Sequence, residues 1–170
     1  MNVSSDTMGA RNYKIFFLCC LIGACVNKAP LNSRRQTGDT TAVIELALRT
    51  AFIKGKLPNI DALKKPYHHG DSILFTSAKN LLALLPHSVD TLKFAVLTPQ
   101  QIMEPVMRES DSRTFPNYLN LETFEKTLSG YYVSLRNQST GFGGGGQIGI
   151  YIEKRDDSLT VIKTQSSNIN

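Results

Sequence analysis

The chain of 170 residues contains no tryptophan, and its three cysteines all lie near its start, at Cys19, Cys20 and Cys25. Because no cysteine follows Cys25, the remainder of the chain can form no internal disulfide bond, even in an oxidising compartment. It also holds no thiol that could act as a catalytic nucleophile. Disulfide-stapled domains and thiol enzymes are therefore excluded.

The sequence also lacks blocks of like charge and apolar segments long enough to span a membrane. The main apolar run, residues 15–24, has ten residues, whereas a spanning helix needs roughly 20. Charged side chains make up 19% of the chain, and the net charge of +5 includes no block of five basic residues, which disfavours nucleic-acid binding. With an apolar fraction of 41%, the composition is that of one folded domain.

The apolar run follows a polar segment that carries Arg11 and Lys14, and it ends in small residues. A positive flank, a short apolar run and small residues at its end are typical of a secretory signal peptide. A buried helix of the domain is less consistent with this segment, because no polar face interrupts the run at helical spacing. We therefore predict a signal peptide over residues 1–24, with translation beginning at Met1 or Met8.

The run ends in Ile22-Gly23-Ala24-Cys25, which resembles the lipobox of bacterial lipoproteins. The resemblance implies cleavage between Ala24 and Cys25, a diacylglyceryl thioether on Cys25 and acylation of the new amino group by a fatty acid such as palmitate. It further implies a domain held in the cell envelope, in the periplasm or at the cell surface. Val26 stands where an aspartate would favour the inner membrane, so the outer membrane is favoured. A signal peptide cut nearby, which releases a soluble secreted domain, is the alternative.

The remainder of the chain divides into two parts. Residues 25–39 are polar and lack apolar periodicity, so we expect the lipidated cysteine to be followed by a flexible tether. Residues 40–170 are expected to form a single domain that opens with a helix over 40–55, because apolar residues recur there along one helical stripe. Asp39 or Thr40 is the expected cap of this helix, and Gly55 its expected end.

Shorter elements follow this helix. Apolar runs predict strands at 71–76 and 92–97, with a short helix at 78–85 between them. The sequence Thr98-Pro99-Gln100-Gln101 predicts a helix that starts with a capping box. This helix is expected to face the core through Ile102 and Val106, with Met103 as a further candidate. Pro105 is expected to kink or shorten it.

From Tyr118 onwards the apolar period becomes two, which predicts a three- or four-stranded antiparallel meander with one wet face and a turn at Arg155–Ser158. The predicted fold class is α+β, with the N-terminal helix packed on a curved antiparallel sheet. This order of elements resembles the cone-shaped nuclear-transport-factor-2-like and cystatin-like folds.

A second resemblance covers residues 40–170. Asp71-Ser72-Ile73-Leu74, Tyr118-Leu119 and the glycine run before Ile148 are similar to segments of small uncharacterised lipoproteins of Gram-negative bacteria. These motifs are structural, and the resemblance brings no activity with it.

The most suggestive cluster for chemistry is His68-His69-Gly70-Asp71, because imidazole and carboxylate groups are good zinc ligands. No third nitrogen ligand lies nearby in the sequence, so we treat His68, His69 and Asp71 as weak metal candidates within a solvated loop. Glu122 and Glu125 are three residues apart in a predicted strand, hence on opposite faces and a poor acid pair.

Two further patterns have structural explanations. The glycine run Gly141–Gly146 lacks the Lys-Ser/Thr and the following helix of a phosphate-binding loop, so we interpret it as a hairpin connection or bulge. Four tyrosines in the predicted strands are candidates either to line a cavity or to pack in the core and on the surface; they are Tyr118, Tyr131, Tyr132 and Tyr151.

No catalytic constellation appears, and the sequence therefore favours a non-enzymatic binding or accessory module of the envelope. Its expected partners are the membrane, through the lipid, and an envelope protein or small ligand. No cofactor, no metal and no nucleic acid is expected. Two alternatives stay open. One is a small pocket enzyme of nuclear-transport-factor-2-like fold, built on the His68–Asp71 loop and the tyrosine-bearing strands. The other is a purely structural accessory subunit.

Overall fold

The computed structural model describes residues 32–63, 71–108, 116–139 and 145–169. The predicted signal peptide, its cleavage site at Ala24 and the predicted lipidation site at Cys25 lie outside the described residues. So do His68, His69 and residues 141–144 of the glycine run. The described residues from Arg34 onwards belong to one compact unit.

The described residues contain four helices and seven strands. The helices are α1 (Asn32–Phe52), α2 (Ile60–Leu63), α3 (Lys79–Leu82) and α4 (Pro99–Arg108). The strands are β1 (Ile73–Ser77), β2 (Ser88–Val89), β3 (Leu92–Val96), β4 (Asn117–Lys126), β5 (Gly130–Ser139), β6 (Gly145–Arg155) and β7 (Ser158–Ile169). They form one curled sheet in the order β2-β3-β1-β4-β5-β6-β7. The layout is α+β, as the sequence predicts.

The predicted apolar stripe of α1 is buried in the core. Val43, Ile44, Ala47 and Leu48 are each 0% exposed, and they share one core cluster with the inward side chains of the sheet. Among these inward side chains, Val133, Leu135, Ile148, Ile150 and Ile152 come from the alternating strands of the meander. The alternation predicted from the sequence therefore places one face of β5 and β6 against the helix.

The end of α1 also matches its prediction. Gly55 has a φ of +59°, and its N–H donates to the carbonyl of Phe52 at 3.4 Å while the N–H of Lys56 donates to the carbonyl of Ala51 at 3.1 Å. This pair of bonds is the Schellman motif, which requires a left-handed residue and so favours glycine.

The start of α1 corrects the prediction. The helix begins at Asn32, so residues 32–39, which the sequence assigned to a tether, are helical. Gly38 lowers helix stability by only about 1 kcal/mol relative to alanine, which is too little to stop a helix whose later turns are packed. Asp39 and Thr40 lie inside the helix and cap nothing at its start. Instead, the carboxylate of Asp39 pairs with the ammonium group of Lys154 on β6.

The prediction of an antiparallel sheet is correct for β4–β7 and wrong for β1. The strands from β4 to β7 pair antiparallel in sequence order, and so do β2 and β3. However, β1 lies between β3 and β4 and is parallel to both, so the sheet is mixed. Parallel neighbours need long crossover connections, and α3 with β2 and α4 lie in these connections.

The predictions for α4 are confirmed in part. The capping box forms, and Ile102 is 2% exposed. Met103 is 37% exposed, so its expected core position is wrong, and the side chain of Val106 lies outside the described residues. The helix continues past Pro105 to Arg108 and is ten residues long.

Candidate functional site

A cleft of about 460 Å³ opens beyond the carboxyl ends of β1 and β3. It is lined by Ser77, Ala78, Lys79, Leu82, Thr98, Pro99 and Gln100. Because β1 and β3 are parallel, both strands end at the same edge of the sheet, and α3 and α4 begin there. Ligands of open sheets with parallel strands characteristically bind at this edge, outside the carboxyl ends of the strands.

The floor of the cleft is fixed by buried hydrogen bonds. Ser77, 2% exposed, donates its hydroxyl to the carbonyl of Leu121 on β4 at 2.9 Å. The N–H of Leu97 donates to the carbonyl of Phe75 at 3.0 Å, which ties the segment after β3 to β1. The Ser77 hydroxyl proton is therefore used in a hydrogen bond within the sheet. Among the residues that line the cleft, no carboxylate or imidazole is present to activate this hydroxyl as a nucleophile.

Helix α4 forms one wall of the cleft, and its N-terminus is capped by its own side chains. The backbone N–H of Thr98 donates to the Gln101 side-chain oxygen at 2.8 Å, and the N–H of Gln101 donates to the Thr98 hydroxyl oxygen at 3.2 Å. These bonds satisfy two donors that a helix N-terminus otherwise presents to an anion. The start of α4 is thus a poor phosphate cradle.

The chemistry of the cleft comes from one cation beside apolar surface. Lys79 is exposed, and none of the residues that line the cleft is acidic. Ala78, Leu82 and Pro99 supply carbon surface, while the Thr98 hydroxyl and the Gln100 amide supply hydrogen-bonding groups. This arrangement suits a small molecule with an apolar body and one negatively charged end.

Of the three metal candidates, Asp71 is the one that falls within the described residues. Asp71 is exposed, while His68 and His69 lie outside the described residues. His87 is exposed, and its backbone carbonyl accepts a hydrogen bond from the N–H of Phe94. Within the described ranges, no group of three or more His, Cys, Asp or Glu side chains could hold a metal ion.

The two glutamates lie on the same face of the sheet, which corrects the prediction. A β-bulge at Glu122 shifts the register between Leu121 and Thr123, so the alternation reverses after it. Glu125 consequently pairs with Tyr132 on the outer face, which Glu122 also occupies through its contact with Arg136. Periodicity alone cannot reveal an inserted residue, and no turn residue marks this one.

The Glu122 carboxylate belongs to a polar network on the outer face of the sheet. It accepts hydrogen bonds from Arg136 Nη1 and Gln147 Nε2, both at 3.0 Å, and Gln147 also donates to the Ser134 hydroxyl at 2.9 Å. Burial raises the pKa of the nearby Tyr118 phenol above 10.0, and the charge of Arg136 opposes this shift. With both carboxylate oxygens occupied, the network stabilises the bulge rather than presenting a free acid.

The tyrosines divide between the core and the outer face. Tyr131 is 7% exposed and contacts Phe124, with ring centroids 5.7 Å apart. Tyr132 and Tyr151 pair on the outer face at 4.8 Å, and Lys163 Nζ lies 5.5 Å from the centre of the Tyr151 ring. They do not converge on one cavity, so packing explains them.

Comparison of the chain with protein-family models, with curated proteins and with solved structures finds no match. In the part of the chain that the structure describes, no helix combines the length and the apolar character needed to cross a membrane. The cleft at β1 and β3 is the candidate site that we select from the geometry of the structure. The sequence predicts its capping box but not the parallel pairing that brings the two strand ends together.

Proposed function

We propose that this protein is a non-enzymatic, lipid-anchored binding module of the cell envelope, and that its cleft holds a small amphipathic ligand with an acidic end. The observation that carries the binding role is the composition of the cleft. One exposed ammonium group stands beside apolar side chains, and no carboxylate or imidazole is present among the residues that line it. Such a set of groups can bind and orient an anion, but it holds no carboxylate or imidazole for acid–base catalysis.

The lipid anchor rests on the sequence alone. We propose cleavage before Cys25, a diacylglyceryl group on its sulfur and a location at a membrane of the envelope, with the outer membrane favoured. At least two acyl chains on one cysteine give stable attachment, because each buried methylene contributes about 0.8 kcal/mol. The partners in this proposal are the membrane and an envelope protein or small ligand, without nucleic acid.

Within the α+β class, we also propose a specific fold. We propose that the curled sheet with α1 on its concave side is a cone-shaped fold of the nuclear-transport-factor-2-like or cystatin-like kind. Buried side chains from α1 and the sheet fill the space between them. This filled concave side supports the binding role over the pocket-enzyme alternative, which needs polar groups to converge there.

Intact-mass analysis of protein recovered from membranes tests the anchor. The expected species begins at Cys25 and carries added acyl mass, and Cys25→Ser abolishes that mass. Cys20→Ser is the matched control, which keeps the cysteine of the lipobox and should be processed normally. An unlipidated chain cut elsewhere would overturn the anchor and leave a soluble secreted domain.

Titration with octanoate, followed by backbone amide NMR shifts, tests the cleft. We expect the largest shifts around Lys79 and Gln100, with octanol as the uncharged probe binding more weakly. Lys79→Gln should weaken octanoate binding by about two- to fivefold, since an exposed charge pair contributes at most about 1 kcal/mol. Lys93→Gln, an exposed lysine of β3 outside the cleft, is the control. Shifts spread over other surfaces, or equal binding by Lys79→Gln, would contradict the proposal.

A further inference from the structure

A second groove, of about 220 Å³, lies between the C-terminal end of α1 and the edge strand β7. Lys54 and Lys56, which follow α1, border it together with Lys163 of β7, and Val161 and Ile162 provide its apolar part. All three lysines are exposed, and Ile162 is 59% exposed. The groove thus combines three positive charges with an apolar strip along one strand.

Lys54 and Lys56 present their charges to solvent, whereas the ammonium group of Lys163 lies 5.5 Å from the centre of the Tyr151 ring. Among the described residues, no carboxylate pairs with Lys54, Lys56 or Lys163, and no acidic residue lines the groove. The Lys56 carbonyl, by contrast, accepts a hydrogen bond from the Ser166 hydroxyl at 2.7 Å, which fixes the segment after α1 against β7. The lysines are therefore held beside the strand without being neutralised.

The strand itself has an open side. β7 spans twelve residues and, within the described ranges, pairs only with β6, so its other edge presents backbone N–H and C=O groups without a strand partner there. A bulge at Ile162 shifts the register against β6 between Tyr151 and Ile152 and adds a residue to the edge strand. The opposite edge of the sheet, β2, has only two residues and offers no comparable template.

A lysine on an edge strand commonly guards against unwanted pairing, and Lys163 alone would fit that role. Lys54 and Lys56 are not part of the strand, however, and guarding the edge does not require them. Two copies of β7 paired about a two-fold axis near the groove would bring two sets of three lysines together, which disfavours a second copy as the occupant.

We infer that β7 and this groove bind an extended acidic peptide segment of a partner protein as an additional strand. Backbone hydrogen bonds to the edge of β7 would hold the segment, its apolar side chains would contact Val161 and Ile162, and its carboxylates would lie near the three ammonium groups. The inference is independent of the cleft at β1 and β3, and it gives a chemistry to the protein partner of the proposed module.

The probe is a short peptide of alternating glutamate and valine, acetylated and amidated, with an alternating lysine and valine peptide as its matched control. We expect the acidic peptide to shift the amide signals of β7 and to protect β7 amides from hydrogen exchange. The basic peptide should do neither. Since exposed charges are screened by salt, the affinity should fall as salt is raised from about 0.01 M to 0.15 M.

The triple variant Lys54→Gln, Lys56→Gln, Lys163→Gln should weaken binding by about tenfold at low salt, as three exposed charge pairs of a few tenths of a kcal/mol each are lost. Lys93→Gln and Lys126→Gln, at exposed positions of β3 and β4 outside the groove, together form the control and should bind normally. Equal binding of both peptides, or amide shifts without protection of β7, would overturn the inference. Dimerisation of the free protein that protects β7 and excludes the peptide would overturn it as well, by assigning the edge to a second copy.

Discussion

The side-chain amide of Asn137 donates to the backbone carbonyl of Asn59 at 2.8 Å, although 78 residues separate them in the chain. Asn137 is 2% exposed, and Asn59 has a φ of +55°. The Asn59 carbonyl also accepts the N–H of Ala62, and its side chain donates to the carbonyl of Gly145 at 3.3 Å. One left-handed loop residue thus joins β5 and β6 to the start of α2.

Asn137→Ala should lower the free energy of unfolding by about 1–3 kcal/mol, because it removes a buried hydrogen bond and leaves a small cavity. The midpoint of urea unfolding measures this change. Asn168→Ala, at an exposed position of β7, is the matched control and should change stability by less than about 0.5 kcal/mol. Equal effects of the two variants would show that the Asn137–Asn59 bond does not stabilise the fold.

Two glycines of β6 should respond differently to alanine. A Cβ at Gly146 would lie 2.5 Å from the carbonyl oxygen of Pro58, whereas a Cβ at Gly149 would lie 2.8 Å from the Tyr132 hydroxyl. Backbone cannot move away without disturbing the fold, but the end of a tyrosine side chain can. Gly146→Ala should therefore destabilise by about 2–3 kcal/mol, and Gly149→Ala by about 1 kcal/mol or less.

Thermal unfolding of the two variants under the same conditions gives the comparison. The double variant Gly149→Ala, Tyr132→Phe tests whether the Tyr132 hydroxyl causes the loss of stability, because removal of this hydroxyl relieves the close contact. If Gly149→Ala were the more damaging single substitution, the close approach of Pro58 to β6 would be wrong.

How far the sequence predicts this fold depends on whether each signal is local. The stripe of α1, the Gly55 stop and the Thr98–Gln101 capping box are encoded in adjacent residues, and each is confirmed. The alternation of the last strands predicts their antiparallel meander for the same reason. Periodicity of this kind reports which face of an element is buried.

The features that the sequence does not predict depend on contacts between distant segments. The parallel pairing of β1 with β3 and with β4 is one, since a short apolar strand carries no mark of the direction of its neighbours. The bulge at Glu122 is another, because an inserted residue changes the face of everything after it while leaving the composition unchanged. The cleft follows from the first of these, so it too is invisible in the sequence.

The capping box of α4 yields a coupled prediction. Thr98→Ala should destabilise by about 1 kcal/mol, and Gln101→Ala by less, because each removes one of two reciprocal bonds. The double variant should cost less than the sum of the single variants, since either loss already weakens the shared cap. Thr98→Ser is the conservative control and should retain most of the stability. Strictly additive effects in urea unfolding would argue against reciprocal bonding.

Tyr118 makes stability depend on alkaline pH. Burial raises the pKa of its phenol above 10.0 in the folded protein, so the folded state binds the proton more tightly than the unfolded state does. The stability that this neutral phenol contributes is fully present below pH 10 and is lost as the pH rises through the folded-state pKa. Tyr118→Phe should consequently flatten the fall in stability above pH 10.

Arg136 provides the second half of this prediction, because its charge lowers the Tyr118 pKa and partly offsets the effect of burial. Arg136→Gln should raise the Tyr118 pKa further. Phenolate absorbance measures this pKa. The chain has no tryptophan to interfere, and six tyrosines contribute to the signal. Subtracting the titration of Tyr118→Phe, made in each background, isolates the Tyr118 signal. A Tyr118 pKa that falls in Arg136→Gln would show that the guanidinium does not act on the phenol, and that the bulge network holds Tyr118 in a different environment.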